Sequence, residues 1–134
     1  MNVQADKTQP LVSTDDIVQV RRAVREMAVE IGFSLVDQTK LVTAASELAR
    51  NAVTYGGGGT VKIEVLRDDR RTGLRLTFTD QGPGIPDIEL ALKDGYTTGD
   101  GLGIGLGGSR RLVNEFEIDS RPGAGTRVSV IRWK

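Results

Sequence analysis

The sequence predicts an α+β fold in which helices cover one face of a mostly antiparallel sheet. Up to Tyr55, apolar side chains recur at the spacing of amphipathic helices. From Thr60 onward the period changes to two, as expected for half-buried strands. Helices and strands therefore follow one another in blocks, which favours an α+β architecture. The length of 134 residues suits a single domain.

Two helices are predicted in the N-terminal part of the chain. After an extended stretch that ends at Leu11–Val12, a polar residue at 13–14 can cap a first helix, and Gly32 is placed to end it. Ser34 can cap a second helix that runs to the glycine-rich break at 56–59. The apolar stripe of this second helix consists of Leu41, Ala45, Leu48 and Ala52.

The C-terminal part of the chain is predicted to supply most of the sheet. Val61–Val65 and Leu74–Phe78 alternate apolar and polar residues, and residues 68–73 join them as a hairpin. The remaining predicted elements are a short helix at 88–93, a longer helix at 106–115, and strands at 116–120 and 127–133 around the Pro122–Gly123 turn.

Composition excludes several kinds of function. The 18 basic and 18 acidic side chains cancel, so no overall field favours nucleic acid or an anionic membrane. The absence of cysteine and histidine excludes thiol nucleophiles, disulfides, zinc sites of the Cys/His kind and imidazole catalysis, so any general base must be a carboxylate. The polar segment Met1–Thr8 has no apolar signal-peptide core, and no span of ~20 apolar residues follows. We therefore expect a cytoplasmic protein.

The second predicted helix contains an acid and an amide on one face. Glu47 and Asn51 are four residues apart and lie beside the apolar stripe, which places them at the rim of the core. A carboxylate there can accept a proton from an attacking hydroxyl or water, and an amide oxygen can ligate Mg²⁺. The alternative is an ordinary solvated helix edge.

A second candidate group follows the predicted strand at 74–78. Asp80 lies at the end of this strand, where the chain turns through Gly82 and Gly84. We expect the Asp80 side chain to be half-buried at best. Its carboxylate could accept the exocyclic amino hydrogen of adenine, and the glycines would let the backbone approach the base closely. The alternative is a strand-ending aspartate in a tight turn.

A third candidate group is the glycine-rich run Gly101–Leu106, which opens into a predicted helix. A helix start presents unpaired backbone N–H groups, so phosphate could bind there. The spacing of the glycines fits neither a Walker motif nor a strand-led dinucleotide motif. The alternative to phosphate binding is a flexible loop whose glycines allow close helix packing. The polar loop 86–100 before this run could fold over a triphosphate or could be a surface loop without a task.

In this order, the motifs resemble those of the GHKL, or Bergerat-fold, ATPases. Glu47 and Asn51 match the N box of that family, and Thr126, after Gly125, matches a threonine that reaches adenine, often through water. The resemblance implies a Bergerat-type two-layer sandwich with a mixed, mostly antiparallel sheet. It further implies one ATP-binding kinase domain over 1–134 with a flexible ATP lid at about 86–102. The first glycine box is matched by Asp80, Gly82, Gly84 and Ile85, and the second by Gly101, Leu102, Gly103, Ile104, Gly105 and Leu106.

Within this superfamily, three stretches resemble the small bacterial anti-sigma serine/threonine kinases: Ser46–Asn51, Asp80–Asp87 and Asp94–Phe116. Among these kinases, the resemblance is greatest to switch kinases of the stressosome type. The resemblance implies a protein kinase that uses ATP and Mg²⁺ to phosphorylate STAS-domain antagonist or scaffold proteins. Once released, such a kinase binds and activates a PPM-type phosphatase.

The resemblance also assigns roles within the site. Glu47, as the catalytic residue, would orient or deprotonate the attacking hydroxyl, and Asn51 would hold Mg²⁺. Apart from the resemblance, the side chain of Arg50 or Arg110 could add positive charge near the phosphates. Two alternatives remain open at this point, an ATP-gated factor that sequesters a sigma factor and an adaptor without chemistry. Many anti-sigma factors have a histidine four residues after the N-box asparagine, whereas Tyr55 stands there in this chain.

Overall fold

The computed structural model describes residues 1–85, 87–93 and 105–134. Five strands and four helices occur in these ranges. None of the described helices combines the length and the apolar character needed to cross a lipid bilayer. Along the chain the elements are β1 (Asn2–Leu11), α1 (Thr14–Glu30), α2 (Leu35–Thr54), β2 (Gly59–Asp68), β3 (Arg71–Asp80), α3 (Ile88–Ala91), α4 (Gly105–Arg111), β4 (Glu115–Ser120) and β5 (Thr126–Trp133).

The strands form one five-stranded sheet in the order β1-β2-β3-β5-β4. The predicted α+β class, with its mostly antiparallel sheet, is confirmed. All four described pairings are antiparallel, so within the described residues the sheet has no parallel pair and is not mixed. The register aligns Gly59 with Asp80 and Asp80 with Thr126. The ends of three neighbouring strands thereby bring two of the predicted site residues side by side.

Helices α1 and α2 pack against each other and against one face of the sheet. Alternate residues of β2, β3 and β5 point toward these helices, as expected from their period of two. Ser34 caps α2 as predicted, since its hydroxyl accepts the N–H of Asp37 at 3.1 Å. The buried core contains Val20, Val24, Leu41, Leu48, Ile63, Leu76, Phe78 and Val130.

The opposite face of the sheet has its own small apolar cluster of Leu66, Ile131 and Trp133. Beside it, the guanidinium of Arg75 donates to both oxygens of Glu64, at 2.8 and 3.1 Å. These hydrogen bonds hold the pKa of the Glu64 carboxyl below its usual range, although burial opposes the shift. The pair shows that this fold buries a carboxylate where an arginine neutralises it.

Two elements differ from the sequence prediction. The expected short N-terminal extended stretch is a ten-residue edge strand, β1, which pairs with β2. Most of β1 is exposed, so it lacks the apolar alternation that reveals a strand. The helix expected over 106–115 ends at Arg111, because Asn114 is held by β5. The Asn114 N–H donates to the Ile131 carbonyl at 2.9 Å, and its side-chain oxygen accepts the Trp133 N–H at 2.7 Å.

An ion pair ties the end of the sheet to the start of α2. Arg132 donates to the carboxylate of Asp37 at 2.6 Å and to the carbonyl of Leu112 at 3.0 Å. The hydrogen bond from Arg132 lowers the pKa of the Asp37 carboxyl, partly offset by desolvation. One arginine therefore braces β5, α2 and the turn that follows α4.

We expect Asp37→Asn to lower the free energy of unfolding at pH 7 by about 1 to 2 kcal/mol, because it removes a charged hydrogen bond at a partly exposed site. Since the folded-state pKa is lowered, the stabilisation is complete above the ordinary aspartate pKa of about 3.9 and is lost as the pH falls below it. Urea unfolding from pH 7 to about pH 3 should show the difference from wild type shrinking with acidity. Asp15→Asn, in the exposed first turn of α1, is the control and should change little.

Candidate functional site

A cleft of about 440 Å³ opens between α2 on one side and the ends of β3 and β5 on the other. Residues of α3 and the start of α4 complete its wall. The volume falls within the range of ~300 to 1,000 Å³ that is usual for small-molecule sites. Most of the lining is apolar, with few polar groups, as expected for a site that binds a flat base and directs it with a small number of hydrogen bonds.

The floor of the cleft is apolar. Leu48 and Ala52 of α2 face Phe78 of β3 and Val128 of β5, and all four are buried. All four belong to the same buried cluster as the core residues, so the floor is a continuation of the core. A rigid apolar floor can pack against the face of an aromatic ring system without rearrangement.

Asp80 lies at the edge of this floor. It faces inward from the end of β3 and is only 9% exposed, so the expectation of a position half-buried at best was wrong. Its Oδ1 accepts the N–H of Gly82 at 2.9 Å, the hydrogen bond that turns the chain after the strand. This bond fixes the carboxylate and leaves Oδ2 as the oxygen with acceptor capacity for a ligand.

Two glycines are required by the packing around Asp80. A Cβ at Gly56 would lie 2.4 Å from the Asp80 Cγ and 2.5 Å from its Oδ2. A Cβ at Gly82 would lie 2.6 Å from the Gly56 Cα. From the sequence, Gly56 is predicted only as part of a helix break, and nothing in the local pattern indicates its role at the site. Gly82 donates its N–H to Asp80 and packs against Gly56, but it is not among the described residues that line the cleft.

Thr126 lines the cleft beside Asp80, and Ser120 holds its hydroxyl. The Ser120 hydroxyl accepts the N–H of Ile85 at 2.8 Å, donates to the Gly125 carbonyl at 3.2 Å and lies 2.7 Å from the Thr126 Oγ1. Either hydroxyl can donate in the third contact, and in both cases the Thr126 oxygen keeps a lone pair that can accept a hydrogen bond from a ligand. Ser120 was not predicted as a site residue. Its polar side chain at an inward-facing position of β4 is the signal that could have revealed it.

Gly84 and Ile85 both line the cleft, as expected for residues of the first glycine box. Gly84 has φ of +79°, and a Cβ there would lie 2.1 Å from the Arg121 carbonyl oxygen. The need for glycine at this position therefore comes from packing against the β4–β5 turn. The sequence predicts a glycine here for the close approach of a ligand, whereas the structure shows that the β4–β5 turn requires it.

Glu47 is more deeply placed than sequence reasoning expected. Its side chain is 5% exposed and lines the cleft, whereas a position at the rim of the core was predicted. Its Oε1 accepts the N–H of Gly105 at 2.7 Å, and its Oε2 accepts a hydrogen bond from the Arg50 guanidinium. The first contact joins α2 to the residue where α4 begins, 58 positions later in the chain.

Asn51 and Arg50 share the cleft-facing side of α2 with Glu47. Asn51 is half-buried and one helical turn from Glu47, which agrees with the predicted common face. Arg110, the other arginine considered for the phosphates, is exposed on α4 and is not among the described residues that line the cleft. Of the two arginines, Arg50 is the one in position to influence a bound ligand.

The second glycine run is described only in part. Gly105 and Leu106 are buried and line the cleft, and α4 starts at Gly105 with a φ of +69°. The predicted ligand residues Gly101, Leu102, Gly103 and Ile104 lie outside the described residues. So does most of the predicted lid at about 86–102, of which residues 87–93 are described and include α3. Asp87 caps that helix by accepting the N–H of Leu90 at 3.0 Å.

A divalent metal would depend on the nucleotide for most of its ligands. Within residues 1–85, 87–93 and 105–134, no cluster of three or more histidine, cysteine or acidic side chains could hold a metal alone. Mg²⁺ is commonly bound by one or two protein oxygens together with substrate phosphates. The amide oxygen of Asn51 beside the cleft fits that arrangement.

Comparison with known proteins identifies relatives that match most of this chain. Serine/threonine-protein kinase RsbT of Bacillus subtilis (strain 168) is 48% identical over 118 residues, which cover 88% of this chain and 89% of that protein. An anti-sigma F factor of Bacillus licheniformis is 30% identical over 119 residues, covering 84% of this chain and 80% of that factor. The resemblance to small bacterial kinases and anti-sigma factors is therefore confirmed.

The fold is also shared with solved structures. The RsbU and RsbW domains of a Mycobacterium tuberculosis protein superpose with a TM-score of 0.68 at 23% identity, over 98% of this chain and 33% of that one. This likeness confirms the expected architecture. Residues 36–134, which include every described site residue, match the family of histidine kinase-, DNA gyrase B-, and HSP90-like ATPases. The chain therefore belongs to this ATPase family.

Proposed function

We propose that this chain is an ATP- and Mg²⁺-dependent protein serine/threonine kinase of a bacterial partner-switching pathway. One observation carries the proposal: Glu47, Asn51, Asp80 and Thr126 line a single cleft, although the first and last are far apart in the chain. The relationship to the Bacillus subtilis kinase supports the reaction class. The proposal includes a single kinase domain over 1–134 with a lid at about 86–102, and a cytoplasmic location.

The residues divide into a base-binding group and a transfer group. Asp80 would accept the adenine amino hydrogen on Oδ2, and Thr126 would accept a hydrogen bond from the base or from a bridging water. Asn51 would hold Mg²⁺, which neutralises charge on the phosphates when bound. Backbone amides of the second glycine run would contact the phosphates.

Glu47 would act on the nucleophile. As the substrate hydroxyl oxygen bonds to the γ-phosphorus, the bond to the bridging oxygen breaks and ADP leaves with the electron pair. The proton of the hydroxyl passes to the Glu47 carboxylate. Positioning and charge neutralisation account for most of the catalysis in reactions of this kind.

STAS-domain antagonist or scaffold proteins are the proposed substrates, and a PPM-type phosphatase is the proposed partner of the released kinase. The test is incubation with Mg²⁺, γ-³²P-ATP and a STAS-domain protein of the same organism. We expect label on serine or threonine of that protein, stable to acid as phosphate esters are. Adding the purified phosphatase afterwards should give a complex only once the STAS protein is phosphorylated.

An ATP-gated anti-sigma factor is the second candidate function, favoured by the 30% identity to an anti-sigma F factor. Many anti-sigma factors have a histidine where this chain has Tyr55, and this difference favours the kinase function over binding of a sigma factor. If no STAS protein is labelled while a sigma factor binds tightly in the presence of ATP, the second function is correct.

The metal role of Asn51 gives a separate prediction. We expect Asn51→Ala to weaken Mg²⁺-ATP binding by about 10- to 100-fold, the loss of one strong polar contact, and to leave adenosine binding nearly unchanged. Calorimetry with each ligand, with Mg²⁺ and with EDTA, measures this. Asn51→Asp keeps an oxygen in place and should retain the Mg²⁺ dependence. Equal losses for adenosine and Mg²⁺-ATP would show that Asn51 is not the metal ligand.

A further inference from the structure

The buried carboxylate of Glu47 is held at both oxygens. Oε1 accepts the Gly105 N–H at 2.7 Å, and Oε2 accepts a hydrogen bond from the Arg50 guanidinium. A carboxylate that is 5% exposed requires such partners, because an uncompensated buried charge is strongly unfavourable. Two donors on different oxygens also fix the plane of the carboxylate, which a single donor would allow to turn.

Arg50 differs from Glu47 in its access to solvent. Its side chain is 39% exposed, and it reaches the cleft one helical turn after Glu47 and directly before Asn51. The comparable pair on the far face of the sheet, Arg75 with Glu64, has no contact with the cleft. The two ion pairs are chemically alike, but both side chains of the Arg50–Glu47 pair line the cleft. The Arg75–Glu64 pair lies away from the cleft and can contribute to stability alone.

We propose that Arg50 is a positioning residue for phosphoryl transfer, acting through Glu47. This inference rests on the proposed kinase function. Arg50 orients the carboxylate at the cleft wall, so that a remaining lone pair of Glu47 can accept the proton of the substrate hydroxyl. Without the guanidinium, the Gly105 amide would be the one donor left on the carboxylate among the described residues, and the base would lose its fixed orientation toward the nucleophile.

A direct contact between Arg50 and the phosphates is the competing explanation, and a double-mutant cycle separates the two. Arg50→Gln and Arg50→Lys are made in the wild type and in Glu47→Gln, and kcat and the KM for ATP are measured with the STAS-domain protein that the wild type phosphorylates. Positioning predicts a fall in kcat of about 10- to 100-fold for Arg50→Gln, with the KM for ATP nearly unchanged. Arg50→Lys should recover part of the rate.

The decisive result comes from the Glu47→Gln background, where Arg50→Gln should cause no further loss, because the group that it positions is gone. The variant with both Arg50→Gln and Glu47→Gln removes both charges of the pair, so it leaves no unpaired buried charge. It can therefore be compared with Glu47→Gln even if Arg50→Gln alone fails to fold. Arg75→Gln is the matched control, since it breaks an equivalent buried pair remote from the cleft, and its kcat should stay at the wild-type value.

Four outcomes overturn the inference. An unchanged kcat for Arg50→Gln would make the contact a simple ion pair. An equal loss in both backgrounds, or a large rise in the KM for ATP, would mean that Arg50 contacts the phosphates directly. A wild-type protein that transfers no phosphate to any STAS-domain protein would instead overturn the proposed function, and this inference with it.

Discussion

Asp80→Asn is expected to weaken ATP binding by about 10- to 100-fold, because the site has no orientation that suits an amide. Oδ1 of Asp80 accepts the Gly82 N–H, which leaves Oδ2 for the adenine amino group. An asparagine must turn its NH₂ toward one of these two donors. Either way a donor meets a donor at a position that is 9% exposed, at a cost of about 1 to 3 kcal/mol.

Calorimetry with ATP and with adenosine measures this effect, and both affinities should fall equally because the contact is to the base. Gly56→Ala should act in the same direction, since its Cβ would lie 2.5 Å from the Asp80 Oδ2. Gly57→Ala is the control, because a Cβ there meets nothing within 4 Å, although its φ of +72° costs some stability. A folded Asp80→Asn protein with wild-type affinity for adenosine would remove Asp80 from base recognition.

The sequence was most informative where burial follows a simple period. Helix α2 and strands β2 and β3 were predicted because each has one buried face, and the stripe along α2 correctly placed Glu47 and Asn51 on one side. Strand β1 was predicted only as a short extended stretch, because an exposed edge strand needs no apolar alternation. The periodicity of apolar residues therefore predicts an element only where one of its faces is buried and the other is exposed.

Contacts between distant parts of the chain could not be predicted in the same way. The burial of Glu47 depends on α4 folding over it, through a hydrogen bond to a residue 58 positions away. Gly56 and Gly125 are required by the backbone and side chain of Asp80, which only the register of three strands brings near them. Spacing identified the chemistry of the site, whereas its packing depends on the tertiary fold.

The largest effect is expected for Glu47, and the structure changes the choice of variant. Glu47→Ala would remove the acceptor for the Gly105 N–H and leave a cavity, so lost activity could reflect lost structure. Glu47→Gln keeps the shape and can present its carbonyl oxygen to Gly105, while its NH₂ faces Arg50, whose 39% exposed side chain can turn to solvent. The glutamine cannot take a proton from the nucleophile. Glutamine is therefore the sharper test of a catalytic base.

We expect Glu47→Gln to lower phosphoryl transfer by about 10² to 10⁴-fold, the usual contribution of a general base, while the affinity for ATP changes little. Single-turnover transfer from γ-³²P-ATP to a STAS-domain protein measures the rate, and calorimetry measures the affinity. Glu64→Gln is the control, since Glu64 is also 5% exposed and paired with an arginine but lies on the opposite face of the sheet. It should lower stability and leave transfer intact. Transfer at the wild-type rate by Glu47→Gln would mean that substrate positioning and charge neutralisation suffice, and that the reaction needs no carboxylate base.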